Sequence, residues 1–140
     1  MSNKRKVDRV APVLAYEPGT VAFAYVFNRI EASFHHSMIQ MLGWDAEHEA
    51  RIWRGDIVAQ RGTTGGLSDD RNHAVSDFLG GRAEWLMWCD TDMGFEPDSV
   101  DRLIASADPV ERPVMGGLCF AQREDESDGV GGFRPIAWPV

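Results

Sequence analysis

Along this chain the apolar positions switch repeatedly between an unbroken run and a helical period. Residues 20–27 (TVAFAYVF) form an almost continuous apolar, β-branched stretch, the pattern of a strand buried on both faces. Ile30, Phe34, Met38, Met41 and Leu42 then recur at helical spacing, and Gly43 predicts the stop. A weaker strand falls within residues 51–60 (RIWRGDIVAQ), where Gly55 predicts a bulge or a break. Residues 61–66 (RGTTGG) read as a loop. Ser68 predicts the N-cap of a second helix, and Asp69 and Asp70 suit the positive end of its dipole. Ala74, Val75, Phe78 and Leu79 give that helix an apolar face, and Gly80-Gly81 ends it.

The strongest strand pattern is 84–89 (EWLMWC), which runs directly into Asp90-Thr91-Asp92. Pro97 predicts the first residue of a third helix, with Val100, Leu103, Ile104 and Ala107 as its inward stripe. Residues 114–120 (VMGGLCF) predict a fourth strand. Residues 122–132, acidic and glycine-rich, predict a mobile loop, and 133–140 (FRPIAWPV) is apolar with no closing helix. Strands alternating with helices predict βαβ units: an α/β fold with a mostly parallel sheet and helices on both faces, over residues 20–140. Residues 1–19 are expected to be a flexible tail. In such sheets ligands bind beyond the carboxyl ends of the strands, where strand order reverses.

Composition narrows the partners. With 140 residues, 44% hydrophobic and 26% charged, the chain can bury a core without disulfide or metal staples. The net charge of -8 excludes a nucleic-acid partner of the usual basic-faced kind. Its only basic cluster, Lys4-Arg5-Lys6, lies in the tail. No apolar run has the length of a membrane span, and Val7-Asp8-Arg9 with Pro12 interrupts any secretory signal pattern, so a cytoplasmic protein is expected. Cys89 and Cys119 each sit in an apolar run and predict buried, reduced thiols.

Two features point to chemistry at the carboxyl edge. On an extended segment Asp90 and Asp92 would point the same way, and two carboxylates so close repel unless a cation joins them. A hard divalent ion such as Mg²⁺ or Mn²⁺ suits such all-oxygen ligation. The alternative is a pair that merely ends a strand and caps the turn at Met93-Gly94. Arg71 heads the stripe of Ala74, Val75 and Phe78, near that same edge, where it can fork onto a phosphate or carboxylate. Its alternative is a salt bridge to Asp69, Asp70 or a sheet-edge carboxylate. Other features carry less. His35 and His36 point about 100° apart on a helix and cannot easily share a metal. The loop GTTGG lacks a P-loop lysine, and Arg54-Gly55-Asp56 is a chance tripeptide. The tryptophans read as packing, with Trp53 and Trp138 the exceptions that can act as sugar platforms.

Asp70-Arg71-Asn72, the run from Glu84 to Met93, and Phe95-Glu96-Pro97-Asp98 together resemble the family 2 glycosyltransferase pattern. There an Arg-Asn helix precedes a hydrophobic strand ending in Asp-x-Asp, followed by an aromatic-x-Pro helix start. Met115-Gly116-Gly117-Leu118-Cys119-Phe120 is similar to the strand that follows, and the likeness spans residues 20–120. Within the family the chain is most similar to enzymes encoded by bacteriophages of actinobacteria, which would place it in the host cytoplasm.

The resemblance implies a GT-A-like (Rossmann-like) three-layer sandwich binding a UDP- or GDP-linked sugar for transfer to an unknown acceptor. By the same resemblance Asp92 is the main metal ligand, Asp90 helps hold the metal or the donor ribose, Thr91 binds the nucleotide sugar, and Arg71 contacts the diphosphate or base. Phe27 and Asn28 line the nucleoside pocket, and the metal is Mn²⁺ or Mg²⁺. Family members continue further, which implies an incomplete domain here and, with its exposed apolar end, self-association. Two alternatives remain open: a non-catalytic binding module derived from such an enzyme, and a phosphatase with Asp-x-Asp as nucleophile and acid. The second is disfavoured because such enzymes carry that motif on their first strand.

Overall fold

A computed structural model describes residues 16–117, together with the backbone of two later strands at 120–125 and 132–137. The chain falls into two compact units, Met1–Pro97 and Asp98–Val140. The first contains β1 (Glu17–Phe27), α1 (Ala32–Glu47), β2 (Asp56–Arg61), α2 (Leu67–Gly80) and β3 (Ala83–Trp88). Its three strands are all parallel, in the order β2-β1-β3, with Phe23 in register with Ile57 on one side and Met87 on the other. The α/β class expected from the sequence is therefore present. β1 begins at Glu17, so residues 17–19 belong to the sheet and not to a tail.

β1 is central because it is the most apolar strand. Val21, Ala22, Phe23 and Ala24 have no exposed surface at all. Successive side chains of a strand alternate between faces, and the two helices use this. On one face Phe34 of α1 sets its ring 6.5 Å from Phe23 and 5.1 Å from Tyr25, with Phe95 5.8 Å from Phe23. Burying an aromatic side chain of this size stabilises by roughly 1.5–3 kcal/mol. On the other face Ala22, Ala24 and Val58 meet Ala74 of α2, flanked by Phe78, Ala83 and Leu86. Leu79, expected on that apolar face, is instead 57% exposed.

Gly43 does not end α1, which continues to Glu47. Asp45 fixes the exit instead: its buried carboxylate accepts the backbone N–H groups of Arg51 (2.8 Å), Ile52 (2.9 Å) and Trp53 (3.0 Å). Gly55 is the break rather than a bulge: β2 starts just after it, and its backbone makes a close approach to β1. A Cβ there would lie 2.1 Å from the Val21 carbonyl oxygen. α2 starts two residues earlier than the Ser68 cap predicts: Gly66, at φ 88°, is the N-cap, and no side chain caps the helix. At its other end the Gly80-Gly81 stop is as expected.

The second unit holds α3 (Ser99–Ser106) and an antiparallel pair, β4 (Phe120–Asp125) and β5 (Gly132–Ala137). α3 has Asp98 as its N-cap, so Pro97 precedes the helix and is not its first residue. Val100 is buried and Leu103, Ile104 and Ala107 are half-buried, the stripe expected. The strand predicted at 114–120 does not form over Val114–Gly117 in any part: these residues are exposed coil, with Val114 at 87%. Residues 122–125, expected in a mobile loop, belong to β4, and the apolar segment from Phe133 to Ala137 lies in β5. Residues 126–131, Cys119 and Trp138 lie outside the described residues.

Candidate functional site

β1 is followed by β2 on one side, and α2 then carries the chain back across to β3 on the other. Strand order thus reverses at the β1/β3 boundary, the position where open parallel sheets bind ligands. Phe27, Asn28, Asp90, Thr91 and Asp92 lie at the carboxyl ends of β1 and β3, and Arg71 lies near the start of α2.

Backbone bonds tie the loops of that edge together. The Phe27 carbonyl accepts the Gly62 N–H at 2.8 Å, joining the exits of β1 and β2. Asn28, exposed, lies so close to Gly62 that a Cβ there would fall 2.5 Å from its Oδ1. Thr91 donates its hydroxyl to the Arg29 carbonyl (2.8 Å), and its own carbonyl accepts the Glu31 N–H (3.0 Å). Thr91 is therefore a positioning residue that fastens the exit of β3 to the exit of β1. Arg29 is held by Glu31 at 2.7 Å.

The sequence reading of Asp90 and Asp92 rested on an extended segment, and that geometry is absent. β3 ends at Trp88, and the Met93 N–H bonds the Asp90 carbonyl at 3.2 Å, closing a turn. In a turn, residues two apart are not aligned by the strand alternation. Both aspartates are exposed, Asp90 with 74% of its side chain. Cys89, expected buried, is half-buried, with its thiol on the Asp90 carbonyl at 3.6 Å.

Arg71 finds the sheet-edge carboxylate among the partners expected for it. Its Nη2 lies 3.5 Å from Asp90 Oδ1, and its guanidinium sits over the Trp88 ring, 5.7 Å from the centroid. Trp88 is placed for this because it is in register with Ala24, on the α2 side of the sheet. The Arg71 side chain is 48% exposed, so the pair is worth only about 0–1 kcal/mol and opens readily to a competing ligand. What results is a surface with a cation, an exposed anion and an aromatic face together at the end of β3.

The sequence reading missed how the glycine loop is held. Asp70 is 2% exposed and accepts from Thr63 twice, from the hydroxyl at 2.6 Å and from the backbone N–H at 3.1 Å. These bonds to Thr63, side chain first, hold the Asp70 carboxyl below the ordinary aspartate range. The available signal was a hydroxyl residue in the loop followed by an aspartate in the first helical turn, the residue types of local side-chain-to-backbone bonds. Of the tryptophans set apart, Trp53 is 64% exposed and donates its indole N–H to the Leu42 carbonyl at 3.0 Å. His35 and His36 are exposed on α1.

Among the described residues no group of three or more His, Cys, Asp or Glu side chains is arranged to hold a metal ion. The chain matches no protein-family model, no curated protein and no solved structure. The donor chemistry still suits one class of ion. Mg²⁺-type ions are commonly bound through one or two carboxylates, the rest of the shell coming from water and substrate phosphate. Asp90 and Asp92 are two exposed carboxylates on one turn.

Proposed function

We propose that this chain is the donor-binding part of a GT-A-like, metal-dependent glycosyltransferase that transfers a sugar from UDP or GDP to an acceptor hydroxyl. The observation that carries the reading is the meeting of Arg71, Asp90 and Trp88 beside the β1/β3 switch point. In this reading Arg71 binds the diphosphate through its guanidinium fork. Phe27 and Asn28, at the end of β1, border the nucleoside. Thr91 keeps the β3 exit in place through its bonds to Arg29 and Glu31. Asp90 and Asp92 would hold Mn²⁺ or Mg²⁺, which supplies positive charge for the leaving diphosphate when bound.

Titration calorimetry with UDP and GDP, in Mn²⁺ or Mg²⁺ and again in EDTA, tests this. Binding is expected with metal and should be far weaker without it, since carboxylates and phosphates repel. Asp92→Asn should remove the metal-dependent part and leave the fold at least as stable. Equal affinity in EDTA overturns the reading. Binding without diphosphate release from any nucleotide sugar would mark a donor-binding module rather than an enzyme.

A further inference from the structure

The Arg71–Asp90 pair has a property that neither residue has alone. The cation proposed to receive phosphate is already engaged with the carboxylate proposed to hold the metal, at 3.5 Å. Asp70, its neighbour in sequence, is buried on Thr63, and its bonds there use both carboxylate oxygens. Asp90 is thus the one carboxylate that the described residues pair with Arg71. The Trp88 ring beneath the guanidinium keeps the arginine at the site whichever anion it meets, because attraction to an aromatic face does not depend on that choice.

We infer that Asp90 is an internal competitor for Arg71: it occupies the guanidinium in the resting protein and gives it up when its carboxylate is taken by a cation. This rests on the donor-site reading above. Phosphate and metal binding then strengthen each other by linkage, since each ligand removes the other's rival. The coupling is small, because an exposed pair is worth about 0–1 kcal/mol, at most about a fivefold change in affinity.

The consequence runs against simple expectation. Asp90→Asn, although it removes a proposed metal ligand, should tighten UDP binding in EDTA by up to about fivefold, because Arg71 is released. Removing a negative charge near a phosphate also helps by itself, and Asp92→Asn controls for that: it deletes the same charge and should give a clearly smaller gain. A second control is Arg71→Gln, in which adding Asp90→Asn should yield only the charge effect. The readout is calorimetry of the full chain with UDP in EDTA, with circular dichroism melts to verify folding. A gain for Asp90→Asn that exceeds Asp92→Asn and disappears in the Arg71→Gln background supports the inference. Equal gains for the two asparagine variants, or a gain that persists without Arg71, overturn it while leaving the donor-site reading intact. No UDP binding by any variant, even with Mn²⁺, overturns both.

Discussion

Asp45 lies in the last turn of α1 at 4% exposure, and three backbone N–H groups converge on its two carboxylate oxygens. Asp45→Ala would leave those donors without partners in a region water barely reaches. The expected loss is about 2–4 kcal/mol, read from the midpoint of urea unfolding, with Asp45→Asn milder because its amide oxygen still accepts. Nothing in the sequence marked this aspartate, since its partners stand six to eight residues downstream in a turn with no apolar period. Asp70 was visible as an acidic residue in a first helical turn, but its main role is bonding back to Thr63. Asp90 and Arg71 were legible as chemistry, yet their pairing was only one of several partners open to Arg71. Residue type announces what a side chain can do; the fold decides where it is aimed.

Elements were legible where the apolar pattern was dense. β1, β3 and α2 fall within a few residues of their sequence expectations because continuous or helically spaced apolar runs leave little choice. Glycines were the main source of error. Gly43 sits inside α1, and a Cβ there would meet nothing within 4 Å. Gly43→Ala should therefore stabilise by about 0.5–1 kcal/mol, seen as a raised Tm, since it removes only backbone freedom. Gly55 is the opposite case, with its Cα pressed against the β1 backbone. Residues 114–117 looked like a strand by apolar content, but Gly116 and Gly117 offer no side chain to pack and the segment is exposed. β4 and β5 escaped notice for the reverse reason. Their pairing joins residues 120–125 to 132–137, and FAQRED carries no strong period of its own.

At the scale of the molecule, the parallel sheet, its alternation with helices and the carboxyl-edge location followed from the sequence, whereas the strand order β2-β1-β3 did not. A pattern of apolar runs does not say which side of β1 the third strand will take. The loops of that edge depend on the Thr63–Asp70 bonds, so the molecule should lose stability in acid. Asp70 has a folded pKa lowered chiefly by its bonds from Thr63. Its contribution is therefore complete above the ordinary aspartate range and is lost as pH falls through that range toward the depressed value. Asp108, lowered by the N–H groups of Glu111 and Val110, adds a term of the same sign in the second unit. Urea unfolding followed from pH 7 to pH 3 should give falling midpoints, and Thr63→Val should flatten the part owed to Asp70. A flat profile in the wild-type chain would remove these bonds from the account of stability.

β1 is the middle strand of its sheet and also the first to be synthesised. Its partners arrive later: β2 begins at Asp56 and β3 at Ala83. During translation the most water-averse segment of the chain, centred on Val21 to Ala24, leaves the ribosome with both of its edges and both of its faces open. One of its edges stays open until β3 is complete at Trp88, some sixty residues after β1 ends, a matter of seconds at ordinary elongation rates of about 5–20 residues per second. Apolar, β-prone segments exposed in that interval are those that pair with copies of themselves. The nascent chain should thus depend on a holding chaperone, and its yield on the speed with which β3 is delivered to the strand that has been waiting for it.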